Sequence, residues 1–167
     1  MNKKQVGALL KVMGKDDMRP ILCTAKVDRY KDDLVLVATD GYVLAAVKLD
    51  EDAKELEGKL IRRSAIEKWY KLATGKSRLT SDELISVSSD DYGQNGGYQD
   101  GSYPQWQGLV PQTEPEGQDT MHFNADFFKT IQDLDGQNSV RVKLYGRLSP
   151  MVFETERGLY LAMPMKV

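Results

Sequence analysis

Apolar residues recur at helical spacing in three segments of the chain. The pattern predicts helices over residues 2–13, 63–74 and 125–134. In the second segment Ser64 and Glu67 have the spacing of a capping box, which predicts Ser64 as the N-cap of that helix. Each segment has one apolar side, which is typical of a helix that packs against another layer of structure.

Short apolar or alternating runs between turn signals predict strands. These runs cover residues 21–27, 34–38, 43–49, 83–89, 121–124, 139–145, 151–155 and 159–164. Two further segments are rich in Gly, Asn, Asp or Pro, which predicts a hairpin tip or loop over 90–101 and a linker over 112–120. A helix followed by a small group of strands recurs along the chain, and this order predicts an α+β fold with a repeated unit.

Composition places the chain among globular proteins. Of its 167 residues, 41% are hydrophobic and 29% are charged, which provides enough apolar side chains for a core. The net charge is −2, so any surface that attracts nucleic acid has to be a local one. The single cysteine, Cys23, cannot form an internal disulfide and fits a reducing compartment. No apolar run reaches the roughly 18–20 residues of a membrane span, and we expect a cytoplasmic protein.

Candidate catalytic and metal-binding residues are few. His122 is the only histidine and lies in a predicted strand, and Cys23 lies in an apolar run, so we interpret both as structural. The segment Gly75–Ser77 lacks the glycine of a phosphate loop, because Tyr70 stands five residues before Gly75. We predict no catalytic residue, no metal and no cofactor. An unrelated small α+β enzyme stays open only through scattered Asp and Glu residues.

Several stretches, taken in their order along the chain, resemble the bacterial DNA sliding clamp, the β subunit of DNA polymerase III. They are "ATDGYVLAAVKL" (38–49), "IRRSAIEKW" (61–69), "GSYPQWQGLVP" (101–111), "FNADFFKTIQDL" (123–134) and "LYLAMPMKV" (159–167). The resemblance implies an α+β, DNA-clamp-like fold of repeated units, each with one helix and a small antiparallel sheet, and three helices in total.

The resemblance is unequal along the chain. Residues 1–111 resemble the middle domain of sliding clamps, and residues 121–167 resemble only the second half of the last clamp domain. Residues 112–120 would be a linker that joins the two parts. The chain is therefore expected to be a shortened form of the clamp architecture.

In the family, a pocket for partner peptides lies between the two parts that this chain resembles. Carried over by the resemblance, the pocket would consist of Leu22, Thr39, Gly41, Tyr42, Val43, Leu44, Pro104, Leu109, Met163, Pro164 and Met165. Tyr42 and Val43 stand where the family has His and Arg, and Gly108 stands where it has a pocket Arg. The alternative is that Leu22, Leu44 and Met163 belong to a continuous core.

The resemblance also implies a surface that faces duplex DNA. Its basic residues would be Lys3, Lys4, Lys11, Arg62 and Arg63. Such a surface would contact phosphates independently of base sequence. The alternative is that these residues are ordinary solvated helix faces.

The implied function is that of a sliding-clamp-like replication protein, a polymerase processivity factor that catalyses no reaction. It would dock clamp-binding peptides of DNA polymerase or other replication proteins. A chain of this length cannot encircle a duplex alone, so tethering to DNA would need a homo-oligomeric ring. The alternative is a clamp-like adaptor or competitor that binds the same peptides without encircling DNA.

Overall fold

A computed structural model describes residues 1–15, 18–49, 54–89, 102–113 and 122–165. The predicted loop over 90–101 and most of the predicted linker, residues 114–120, lie outside these ranges. In the described residues the helices are α1 (Lys3–Val12), α2 (Arg63–Leu72), α3 (Ser81–Ser89) and α4 (Asp126–Asp135). The strands are β1 (Thr24–Tyr30), β2 (Asp33–Thr39), β3 (Val43–Lys48), β4 (Leu60–Arg62), β5 (Arg141–Lys143), β6 (Met151–Glu154) and β7 (Gly158–Ala162). The predicted α+β class is confirmed.

The strands form one antiparallel sheet of seven strands in the order β4-β1-β2-β3-β7-β6-β5. Near its centre, β3 pairs with β7 and so joins residues more than a hundred positions apart, with Val43 opposite Ala162 and Val47 opposite Gly158. The parts on either side of the predicted linker therefore share one sheet. None of the described helices is long and apolar enough to cross a membrane.

Alternate residues of the strands face two separate apolar clusters. On one face, Ala45 and Tyr160 belong to the cluster that includes the buried side of α1 and residues of α2 and α4. On the other face, Leu44 and Leu161 belong to a second cluster with Tyr103 and Trp106. The sheet is therefore covered by helices on one side and by the segment 102–110 on the other.

Helix α1 lies at the centre of the helical layer, in contact with both α2 and α4. The Asn2 side chain accepts a hydrogen bond from the backbone N–H of Gln5, and the Gln5 side chain accepts one from the Asn2 backbone. This reciprocal pair satisfies N–H groups that the first helical turn leaves open. The Gln5 amide also donates to the Leu134 carbonyl at 2.7 Å, so the same residue ties α1 to α4.

Three local predictions were wrong. Residues 83–89, predicted as a strand, are part of α3, so the described chain has a fourth helix. Helix α2 begins at Arg63 without a side-chain cap, and Glu67 pairs with Arg63 rather than capping through Ser64. The first strand begins only at Thr24, because Pro20–Cys23 forms a turn of 3-10 helix.

The predicted strand over 121–124 is also absent in its described residues, 122–124. The His122 carbonyl instead accepts a single hydrogen bond from the Met165 N–H at 2.8 Å. One such bond does not form a strand ladder, which needs repeated pairs.

We predict that Gly158→Ala weakens the central strand pair. A Cβ at this position would lie 2.5 Å from the Ala46 carbonyl oxygen and 3.1 Å from the Tyr160 hydroxyl, so the paired strands would have to separate. Overpacking of this kind costs about 1–3 kcal/mol, and urea unfolding should show a loss of unfolding free energy in that range.

Gly75→Ala is the matched control, since its Cβ would meet no described atom within 4 Å. Equal unfolding free energies for the two variants would contradict the close approach of β3 and β7.

Candidate functional site

A cavity of about 780 Å³ lies where β3 begins and β7 ends. Its lining consists of Met18, Arg19, Pro20, Ile21, Leu22, Thr39, Gly41, Tyr42, Val43, Leu44, Ser102, Pro104, Leu109, Leu161 and Met163. Nine of the residues predicted for a peptide pocket are in this lining. Pro164 and Met165 are not, because the chain leaves the cavity after Met163.

The cavity has a buried apolar floor and an exposed apolar rim. Leu44 and Leu161 lie directly opposite each other in the β3–β7 pair and are both buried. At the rim, Tyr42 is 67% exposed, Leu109 48% and Met163 36%. Large apolar side chains grouped at the surface mark interaction sites more often than isolated ones do. The alternative of a continuous core therefore fits Leu44 but not Met163.

The turn between β2 and β3 forms one wall of the cavity and is held by its own side chains. The Thr39 hydroxyl donates to the Val43 carbonyl at 2.6 Å and accepts from the Gly41 N–H at 3.0 Å. One Asp40 carboxylate oxygen accepts from the N–H groups of Tyr42 and Val43 at 2.8 and 2.9 Å. Gly41 has φ +96°, a left-handed conformation that favours glycine. The sequence Thr-Asp-Gly thus fixes the direction in which Tyr42 leaves the turn.

The wall next to this turn is the segment 18–22. The Gly14 N–H donates to the Leu22 carbonyl at 2.9 Å and also contacts the Thr39 carbonyl at 3.3 Å. A Cβ at Gly14 would lie only 2.9 Å from the Cβ of Leu22, so glycine permits this close approach. The end of α1 is therefore tied to both of these walls. On the opposite side the Met163 N–H donates to the Tyr42 carbonyl at 3.0 Å, which sets Met163 at the rim.

The remaining wall belongs to the segment 102–110, which Trp106 anchors to the sheet. Trp106 is fully buried, and its indole N–H donates to Asp28 of β1 at 2.9 Å. The Gln107 amide donates to the same carboxylate oxygen at 3.0 Å, and the Tyr103 hydroxyl donates to the Val37 carbonyl at 3.3 Å. Pro104 lies between the anchored residues Tyr103 and Trp106, and Leu109 follows them in the sequence. The hydrogen bonds therefore hold both residues beside the cavity.

The charge state of Asp28 suits this anchoring role. Burial pushes the pKa of Asp28 upward, but hydrogen bonds from Lys26, Trp106 and the Arg29 backbone outweigh it, so its pKa lies below the ordinary value. Asp28 is therefore a carboxylate at neutral pH and accepts from the indole. Burial also raises the pKa of Tyr103, so its phenol keeps the proton that it donates.

The basic residues predicted to face DNA differ in how they are used. Lys3 donates to the Ala73 carbonyl at 2.6 Å, and Lys4 lies 3.0 Å from the Asp133 carboxylate. Lys11 is exposed in the last turn of α1, and Arg62 is half-buried just before α2.

Arg63, the remaining residue of that set, is turned into the protein. Its guanidinium donates to the Leu10 and Met13 carbonyls at 2.6 and 3.1 Å and to the Glu67 carboxylate at 2.7 Å. Carbonyl groups at the end of a helix lack intrahelical partners and favour a cation. Arg63 therefore joins the end of α1 to the start of α2.

The described residues offer no group of three or more His, Cys, Asp or Glu side chains arranged to hold a metal ion. His122 is exposed and Cys23 is half-buried, and neither is in the cavity lining.

No family model and no curated protein sequence matches the chain. Solved structures do match it. The DNA polymerase sliding clamp of Bacillus subtilis has 15% sequence identity and a TM-score of 0.68. The DNA polymerase III β subunit of Borrelia burgdorferi, in complex with a natural product, has 13% identity and a TM-score of 0.71. The sliding clamp of Bartonella birtlesii, bound to griselimycin, has 16% identity and a TM-score of 0.63.

The chain has the fold of a bacterial sliding clamp. Each of these alignments covers 99% of this chain but only 62%, 60% and 63% of the Bacillus, Borrelia and Bartonella clamps, respectively. The resemblance seen in the sequence is therefore confirmed for the fold, and the chain spans less than two thirds of the length of these clamps.

Sequence reasoning missed six lining residues of the cavity. They are Met18, Arg19, Pro20, Ile21, Ser102 and Leu161. The alternation of side chains along β7 is a signal that could have identified Leu161. Leu161 is two residues from Leu159 and therefore shares its face of the sheet, the face away from the helices. For the segment 18–21, no periodic pattern indicates a contact with the cavity.

We predict that Arg63→Gln destabilises the fold. The substitution leaves the Leu10 and Met13 carbonyls without their charged donor, and such bonds contribute about 1.5–3 kcal/mol each. Thermal unfolding should show a lower midpoint than for Lys71→Gln, an exposed control on the same helix. An unchanged midpoint for Arg63→Gln would show that its contacts contribute nothing to stability.

Proposed function

We propose that this protein is a non-catalytic, sliding-clamp-type replication protein that docks short peptide segments of DNA polymerase or other replication proteins. The observation that carries the proposal is the apolar cavity at the β3–β7 junction, with a buried floor and an exposed rim. Its occupant would be a peptide with one or two large apolar anchor side chains.

The size and lining of the cavity support a peptide ligand. A volume of about 780 Å³ lies within the range of roughly 300–1,000 Å³ that is usual for ligand sites. Met18 and Met163 bring flexible, polarizable side chains to the rim, which adapt to anchors of different shape. Leu44 and Leu161 at the floor would exclude water from the anchor and so favour burial of an apolar side chain.

The comparisons support a ligand-binding role in the same fold. The Bartonella clamp is bound to griselimycin and the Borrelia clamp to a natural product. We extend ligand binding from those proteins to this chain because its own cavity has a buried apolar floor. The peptide partners of this chain are part of the proposal.

We predict that Leu109→Lys with Met163→Lys weakens peptide binding at least tenfold. Each change puts an ammonium group at the apolar rim, where a docked anchor would have to desolvate it. The measurement is fluorescence anisotropy with a labelled peptide that carries adjacent Leu and Phe anchors between polar residues.

Leu148→Lys is the control for this prediction. Leu148 is 82% exposed and is not part of the cavity lining. Retained binding by a folded double variant, or equal loss in the control, would contradict docking in the cavity.

A second candidate function, tethering to duplex DNA, depends on a ring of several copies. The outermost strands of the described sheet, β4 and β5, each have only three residues and present one open edge. An open strand edge can pair with another chain, and pairing of β4 with β5 of the next copy would extend the sheet around a ring. The adaptor alternative is favoured by Lys3, Lys4 and Arg63, whose cationic groups already have partners within the chain.

If the protein forms a ring, light scattering should give a solution mass several times that of the monomer. A strict monomer at micromolar concentration would contradict the ring and leave the adaptor. For a ring, Lys11→Gln should lower the salt-dependence slope of DNA binding by about 1, whereas Lys54→Gln should not.

A further inference from the structure

A second cavity of about 430 Å³ adjoins the apolar one. The two cavities share Arg19, Leu22 and Tyr42, so they form neighbouring chambers of one groove. A peptide whose anchor fills the apolar chamber would have its next residues within reach of the second chamber.

The second chamber is cationic over its described lining. Lys11, Lys15 and Arg19 contribute three positive groups, whereas Asp40 is the only carboxylate among the lining residues that the structure describes. Asp40 already accepts two backbone N–H groups within its own turn. Within the described part of the chain, the three cationic groups make no ion pair. Asp16 and Asp17 lie outside the described residues.

Arg19 lies at the boundary between the chambers. A Cβ at Gly41 would be 3.4 Å from one guanidinium nitrogen of Arg19, so the guanidinium lies over the turn that both chambers share. A planar guanidinium binds a carboxylate through two parallel N–H groups, which fixes the position of the bound group as well as its charge. Lys11 and Lys15 line only the second chamber and would add attraction without a fixed geometry.

We propose that the second chamber binds a carboxylate of the docked peptide, next to its apolar anchor. The inference rests on the proposed function, since it assumes a peptide in the apolar chamber. The carboxylate is either an Asp or Glu side chain or the C-terminal carboxylate of the peptide itself. The groove thus selects peptides that combine an apolar anchor with an adjacent negative charge.

The experiment uses three peptides with the same Leu-Phe anchor. One ends in a free carboxylate, the second is amidated and has an Asp after the anchor, and the third is amidated with an Asn there. We expect the unmodified protein to bind one or both acidic peptides about tenfold more tightly than the neutral one, as charge-assisted bonds at a partly open site allow. The acidic peptide that binds more tightly identifies the source of the carboxylate.

The variant Lys11→Gln with Lys15→Gln separates this inference from the proposed function. It should reduce the preference for acidic peptides to about twofold and leave the affinity for the neutral peptide unchanged, because neither lysine lines the apolar chamber. Lys71→Gln with Lys76→Gln, two exposed lysines outside the groove, should keep the full preference.

Two outcomes overturn the inference alone. They are equal binding of all three peptides by the unmodified protein, and an equal loss of preference in the two lysine variants, which would indicate attraction by overall charge. Failure of every peptide to bind overturns the proposed function together with the inference.

Discussion

The antiparallel pairing of β3 with β7 is the interaction on which the rest of the structure depends. Five residue pairs, from Val43–Ala162 to Val47–Gly158, join segments that are more than a hundred positions apart in the sequence. Because side chains alternate across a strand, this register sends Ala45 and Tyr160 toward the helices and Leu44 and Leu161 toward the opposite face. A slip of one residue would exchange the two sets and remove the apolar floor of the cavity.

The cavity lies on that second face, in the part that the described residues leave uncovered. Trp106 and Tyr103 fill one part of the face and are fixed by hydrogen bonds to Asp28 and Val37. Beside them, at the end of the β3–β7 pair, the described residues that border the sheet include the Thr39–Val43 turn and the segment 18–22. The Asp40 carboxylate accepts hydrogen bonds from the Tyr42 and Val43 N–H groups, which fixes the backbone of that border.

Much of the fold and part of the site could be predicted from the sequence, because strong periodic patterns rest on local chemistry. The helices at the start of the chain and after Asn124 follow from their apolar stripes, and the turn at Thr39–Gly41 follows from its residue types. The segment 83–89 shows the limit of such reasoning. Its few apolar residues, Leu84, Ile85 and Val87, fit the spacing of a strand as well as that of a helix. In the structure the segment is part of α3, and Leu84 is fully buried in the core cluster on the helical side of the sheet. The Trp69 indole of α2 donates a hydrogen bond to the Glu83 carboxylate of α3, and no pattern in the sequence indicates this contact.

The sequence by itself determined the α+β class, most of the helices and strands, and the short motifs along the chain that resemble a clamp. These depend on local spacing and residue type. Only the tertiary structure decided that β3 pairs with β7, that Arg63 caps α1 instead of facing outward, and that Arg19 lies between two chambers of one groove. Those features depend on which distant segments come into contact. The free energy that favours these contacts comes from packing and hydrogen bonds, which local sequence patterns do not indicate.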